Sequence, residues 1–159
     1  MSIRTLGLFC VLLSASLLAA AFAFEHWGGL KPCTLCWYQR FPHMAIVAIG
    51  LVLIFGLKPH PLKHTLLLGL FLIAYSTTMA LGLYHVGVEQ QLWHSIFPCS
   101  TAVNITELSA DEALLAIEST PLVRCDAVAW SLFGISMAGY NALLSAFAIL
   151  FVLLSIRKR

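Results

Sequence analysis

The 159-residue chain is short of charge: Lys, Arg, Asp and Glu together make up 10% of it, against 60% hydrophobic residues. Soluble domains carry about a quarter charged residues, so a surface that faces water all round is excluded. Internal repeats and low-complexity tracts are missing too. The formal net charge is only +2, and no nucleic-acid partner is expected.

What the chain does have is four long uncharged runs, at 6–24, 41–57, 65–84 and 127–156. Each can cross a ~30 Å hydrocarbon layer as a helix rising about 1.5 Å per residue. The sequence therefore predicts an all-α membrane protein, a four-helix transmembrane bundle forming one four-pass domain. The expected helices cover about 6–24, 36–57, 65–84 and 128–156, with outer segments at about 25–35 and 86–127.

Arg4, Lys58, Lys63 and the tail Arg157-Lys158-Arg159 fall on one side of this topology, and Lys31, Arg40 and Arg124 on the other. The positive-inside rule puts both termini in the cytoplasm. All seven acidic residues then lie outside. The first run follows Arg4 and contains Ala21-Phe22-Ala23, as a signal peptide would, but its length suits a span better than a signal core.

Several local readings follow. Lys58 to His64, with two prolines, reads as a tight cytoplasmic turn. Ser109 to Glu112 can cap a short helix over Ala113–Glu118 that lies horizontally on the membrane surface. Trp93, Ile96 and Phe97 suit the interfacial layer. Ala138, Ala142 and Ala146 make a flat packing face, and Asn141 beside them is read as an interhelical hydrogen-bond donor.

Of the five cysteines, Cys10 sits within the first span and the other four lie in outer segments. Four thiols can pair in three ways, and spacing suggests Cys33 with Cys36 and Cys99 with Cys125. The second pair closes a loop of about 26 residues, a stabilisation of about 3 kcal/mol by chain entropy. The first pair closes almost nothing, so it calls for a chemical role.

Cys36 is expected in the first turn of the second helix, where unpaired amides and the helix dipole favour a thiolate. Arg40 lies one turn further on the same face. An arginine there can simply snorkel to headgroups, but beside Cys36 it can also lower the thiol pKa and hold an anionic oxygen. A dithiol closing to a disulfide releases two electrons and two protons, which matches what a membrane-dissolved quinone takes up.

The stretch "PCTLCWYQR" opening the second helix, the four-pass topology and the second cysteine pair in the long outer segment together resemble the disulfide bond formation protein B (DsbB) family of bacterial inner membranes. The likeness covers nearly the whole chain. It implies a relay in which the second pair oxidises a periplasmic thioredoxin-fold protein of DsbA type, while ubiquinone or menaquinone reoxidises the first. Carried over by position, Cys99 forms the mixed disulfide with the partner and Cys125 attacks Cys33. Cys36 is thereby freed as the thiolate facing quinone, beside Arg40 as the quinone-contacting arginine.

His85, in "GLYHVGVEQ", resembles a histidine near the quinone in this family. His43 follows Cys36 and Arg40 at helical spacing, but Pro42 threatens that register. His26, His60, His64 and His94 are expected in solvent. The loop between Cys99 and Cys125 offers no further motif, which leaves partner identity open.

Rival readings fit less well. A zinc site on the four outer cysteines lacks the second close pair that such sites use, and Cys36 is not followed by the histidine of c-type haem attachment. No metal is expected. A tetraspanin-like organiser gives no reason for a C-x-x-C with arginine one turn on, and a vitamin K epoxide reductase type would place the C-x-x-C near the last helices.

Overall fold

The computed structural model describes residues 2–56, 61–97, 109, 111 and 123–157. Among these, four helices are long and apolar enough to cross a membrane. The helix expected over Ala113–Glu118 lies outside the described residues, as does Cys99.

Helix α1 spans Ile3–His26 and is capped by Ser2, whose hydroxyl accepts the Thr5 N–H at 3.1 Å. It stops where the Trp27 and Gly28 N–H groups both return to the Ala23 carbonyl, at 2.9 and 3.2 Å. A Cβ on Gly28 would strike the Phe24 carbonyl, and Gly29 takes a left-handed φ of 67°. The chain can then reverse into the second helix within a few residues.

Helix α2 spans Thr34–Leu51 and begins two residues before the expected position, because Cys33 itself is its N-cap. The Cys33 sulfur accepts the Cys36 N–H at 3.3 Å. Pro42 lies inside α2 without ending it, and a wide turn over Val52–Gly56 follows.

Helix α3 spans Pro61–Glu89. The turn expected from Lys58 to His64 is thus partly helix: Pro61 opens α3, where a missing N–H costs nothing, and residues 57–60 lie outside the described set. After α3 the chain folds back, with the Trp93 indole stacked on Tyr84 and donating to its carbonyl at 3.1 Å.

The fourth helix, α4, spans Met137–Arg157 and starts later than the expected position near 128. A hairpin of β1 (Ser131–Leu132) and β2 (Ile135–Ser136) precedes it. Phe133 and Gly134 both have positive φ, 51° and 78°, which is what a two-residue hairpin turn requires and a helix forbids. Ser136 then caps α4, accepting the Gly139 N–H at 3.2 Å.

The helices pack in sequence order, α1 on α2, α2 on α3 and α3 on α4, while α1 and α4 touch little. At the end bearing the termini, Leu6, Cys10, Ile46, Phe71, Tyr75, Ala148 and Val152 form a closed apolar core. Phe9 there meets Phe147 and Phe151, with centroids 6.3 and 4.2 Å away. At the other end Phe24 reaches Trp130 at 4.8 Å. Between these two clamps the α1–α4 seam is apart. Helix α2 has the lowest mean hydropathy of the four, 1.4 against 2.0 to 2.3, because it carries the polar groups described next.

Of the expected small-residue face, Ala138 and Ala142 are buried but Ala146 is exposed. A four-residue step overshoots a helical turn by about 40°, so the stripe drifts off the interface by its third member. Gly82 of α3 fits against Ala138 and Ala142, and an added Cβ would sit 3.0 Å from the Ala138 carbonyl. Gly82→Val should therefore force α3 and α4 apart and destabilise the bundle by about 1–3 kcal/mol, read as a lower midpoint of thermal unfolding in detergent.

Candidate active site

Because Cys33 caps α2 and Cys36 lies in its first turn, the two sulfurs meet over the helix start, 2.9 Å apart and unbonded. Cys33 is buried and Cys36 half-buried. The hydrogen bond to the Cys36 sulfur, reinforced by burial, pushes the Cys33 thiol well above the ordinary range. The Cys33 sulfur also accepts the Cys36 N–H, and either sulfur can donate across the contact between them.

Cys125 is fully buried and disulfide-bonded. The other described cysteines, Cys10, Cys33 and Cys36, are free, so none of them is its partner. It packs in one cluster with Cys33, Leu35 and Val88, which brings the C-x-x-C and a cysteine of the second outer segment side by side. Arg124 and Asp126 flank it as an exposed bidentate pair at 2.9 and 2.7 Å.

Arg40 is 6% exposed and does not snorkel to the surface. Its guanidinium bonds Glu25 at 2.5 Å and the Ala21 carbonyl at 3.3 Å, and lies over the rings of Phe22 and Trp37 at 4.7 and 4.8 Å. A desolvated cation needs a counter-charge and hydrogen bonds, and the last turns of α1 supply both.

A line of hydrogen bonds runs inward from the thiols. His85 Nε2 lies 3.7 Å from the Cys33 sulfur, and its Nδ1 lies 2.8 Å from the Gln39 amide nitrogen. The Gln39 oxygen accepts from Asn141 at 2.7 Å, and the Asn141 oxygen meets His43 Nε2 at 2.8 Å. His43 Nδ1 reaches Ser14 at 3.2 Å, and Ser14 reaches Tyr75 at 3.0 Å. Tyr75 donates to the Cys10 carbonyl at 3.2 Å, which ends the line. Thr78 braces it, accepting from Asn141 at 3.0 Å and donating to the Gln39 carbonyl at 3.3 Å.

Two backbone carbonyls set the direction of this line. Gln39 Nε2 also donates to the Leu35 carbonyl at 3.2 Å, and Asn141 Nδ2 to the Thr78 carbonyl at 3.4 Å. A carbonyl only accepts, so both amides are fixed end for end. Gln39 thus donates to His85 Nδ1, and the single proton of the neutral ring sits on Nε2. The backbone of Cys125 bonds the same ring.

The thiols, Arg40, His85 and Glu89 border a cavity of about 360 Å³ in the open part of the α1–α4 seam. Its walls are largely apolar, with Leu17, Ala21 and Phe24 from α1 and Leu144 from α4. Glu89 is held by the Ser136 hydroxyl at 2.5 Å, so the cap of α4 also anchors the end of α3.

Donor atoms of Cys33, Cys36 and His85 lie within 4.8 Å of one another, close enough to surround a metal ion. Their hydrogen bonding runs against that use. A ligating histidine normally donates from its second nitrogen, whereas here Gln39 donates into it and leaves the proton on the atom that would ligate. The four-cysteine zinc arrangement also fails, because Cys125 is already in a disulfide.

The sequence singled out Cys33, Cys36, Arg40, His85 and Cys125, and these come together here. His43 keeps its helical register despite Pro42 and lines the cavity, spent on Ser14 and Asn141. Asn141 is the interhelical donor expected of it. Glu25, Gln39, Glu89 and Ser136 were missed. A carboxylate at the outer end of α1, facing the start of α2 across a short reversal, was the available signal for Glu25.

Comparison with known proteins bears on this arrangement. The family model described as disulfide bond formation protein DsbB matches residues 3–155. An uncharacterized protein of Rickettsia prowazekii is 30% identical over 94% of this chain and 85% of its own length. Disulfide bond formation protein B of Marinobacter nauticus is 32% identical over 89% of this chain and 83% of its own. The protein of that name from Shewanella loihica is 30% identical, with 80% and 74% covered.

With Cys33 buried and its thiol pushed up, and Cys36 half-exposed, the two thiols should differ in reactivity. Limiting iodoacetamide at neutral pH should alkylate Cys36 well before Cys33, which peptide mass spectrometry of the briefly treated reduced protein will read.

Proposed function

The chain belongs to the disulfide bond formation protein DsbB family, and from that premise we propose that it is a thiol:quinone oxidoreductase of the bacterial inner membrane. In this reading it reoxidises a periplasmic thioredoxin-fold protein of DsbA type and delivers the electrons to ubiquinone or menaquinone. Both termini lie in the cytoplasm and the cysteine segments in the periplasm. The observation that carries the proposal is the meeting of an unbonded thiol pair, a disulfide-bonded cysteine and a desolvated cation around one apolar cavity.

The residues present fit a quinone. A flat ring with two carbonyl oxygens asks for apolar walls and few, well-aimed donors. Leu17, Phe24 and Leu144 offer the walls, and the open α1–α4 seam offers an exit for a prenyl tail into the hydrocarbon. Arg40 has five N–H donors and gives one to Glu25 and one to the Ala21 carbonyl, so it retains capacity to bind an oxygen. His85 belongs to the same wall, next to Cys36. A bound quinone supplies an acceptor for two electrons and two protons.

The relay then uses the chain's own thiols in order. Cys99 forms a mixed disulfide with the partner, and the partner's second thiol releases it. The Cys125 thiolate attacks Cys33 of the oxidised first pair, and Cys36 departs as the thiolate facing the cavity. Attack at Cys33 is what the family pattern implies when carried over by position, and the shared buried cluster of Cys33 and Cys125 supports it.

The decisive experiment mixes reduced DsbA-type protein anaerobically with the purified protein and added quinone, following thiol loss and quinone reduction together; loss of one without the other sinks the proposal. Arg40→Gln should raise the apparent quinone KM about tenfold, the scale of one charge-assisted hydrogen bond. Oxidation of the partner by preloaded protein should change far less, and an unchanged quinone KM would remove Arg40 from the site. Cys10→Ala should leave turnover intact in the same assay, because Cys10 is buried in the opposite, apolar end of the bundle.

A further inference from the structure

Gln39 and Asn141 touch neither sulfur, yet they decide which way the His85 ring is protonated. The Leu35 carbonyl fixes the Gln39 amide at 3.2 Å, Gln39 donates to His85 Nδ1 at 2.8 Å, and Asn141 holds the Gln39 oxygen from α4 at 2.7 Å. We infer that Gln39 and Asn141 are positioning residues that keep the His85 proton on Nε2, aimed at the Cys33 sulfur as that sulfur leaves during exchange between the two cysteine pairs.

The step rests on the proposed relay. When Cys99 resolves the Cys33–Cys125 mixed disulfide, the bond between Cys99 and Cys125 forms, the bond between Cys125 and Cys33 breaks, and the electron pair goes to Cys33. No outside oxidant enters. At that moment Cys36 is already a thiolate, so a second negative sulfur beside it is resisted by like-charge repulsion and by burial. Two N–H groups lie at Cys33 to offset this: the Cys36 amide at 3.3 Å and His85 Nε2 at 3.7 Å, whose hydrogen is shared with the Cys125 backbone. The amide belongs to the helix start and is fixed by the backbone. The imidazole is a donor only in one tautomer, and the tautomer is what Gln39 and Asn141 select.

The same selection explains why three soft donor atoms within 4.8 Å remain a thiol site. A ring that offered a bare Nε2 would complete a two-sulfur, one-nitrogen set for a thiophilic metal ion. A ring with its proton there offers a hydrogen bond instead.

Two measurements on the full-length protein in detergent test the inference. Two-bond proton–nitrogen correlation spectra read the His85 tautomer in the parent, in Gln39→Met and in Asn141→Leu. The parent should show the proton on Nε2, Gln39→Met a mixture of tautomers, and Asn141→Leu a smaller shift in the same direction, since Leu35 still anchors Gln39. In the second measurement, protein preloaded with both disulfides and freed of quinone is mixed with excess reduced DsbA-type protein. The first equivalent of partner disulfide draws on the Cys125 pair alone, and the second requires exchange between the pairs. Gln39→Met should slow the second equivalent about tenfold relative to the first, the scale of one hydrogen bond to a charged group.

A parent ring protonated on Nδ1 overturns the inference. So does a Gln39→Met protein whose ring has become a mixture while its second equivalent keeps the parent's pace. Failure of the parent itself to yield a second equivalent would instead overturn the relay, with the spectra still reporting the tautomer. Asn141→Leu gives the same readouts should Gln39→Met not fold.

Discussion

Inside a membrane-spanning bundle there is no water to satisfy a stray polar group, so polar side chains must satisfy one another. The amide pair of Gln39 and Asn141 answers that constraint at the centre of this protein, joining α2 to α4 at 2.7 Å and reaching α3 through His85 and Thr78. His43 and Ser14 extend it to α1. Every membrane-spanning helix is therefore tied into one network by directional bonds, in a solvent where apolar packing alone discriminates poorly between arrangements. The thiol pair is built on the upper end of that tie.

The helix start and the redox pair are one feature. Cys33 closes the first turn of α2 with its sulfur and thereby comes within 2.9 Å of Cys36. The cavity arises from the opposite circumstance, a place where two helices decline to meet. Aromatic contacts at Phe9 and at Phe24 brace α1 against α4 and its preceding hairpin at the two ends, and the small residue Ala21 faces the gap between. Arg40 reaches this space only because Glu25 and the Ala21 carbonyl make a buried cation tolerable.

Much of this was legible in the sequence, for local reasons. Cys33, Cys36 and Arg40 lie on one helix, so their spacing alone places them together, and the four apolar runs declare the spans. His43 was doubted on account of Pro42, whose absent N–H weakens a helix yet does not break one packed between two neighbours. The fourth helix was started too early because residues 128–136 are as apolar as a span, and only the positive φ of Phe133 and Gly134 shows that a hairpin intervenes. Gln39 was passed over because a glutamine between a cysteine and an arginine declares nothing until the facing helices are known. Glu25 and Glu89 meet Arg40 and Ser136 across tertiary contacts of 15 and 47 residues in sequence, beyond the reach of any periodicity.

The line of hydrogen bonds that descends from Cys33 comes to rest on the Cys10 carbonyl. Beneath it lie Leu6, Leu68, Phe71 and Val152, an oily floor between the sulfur chemistry and the end where the polypeptide starts and finishes. Under the proposed function, that floor leaves the thiols and the cavity to trade hydrogen ions with the outer aqueous face alone. A thiol-to-quinone relay run in that way carries no net electricity across the bilayer, and its rate should be indifferent to the membrane voltage.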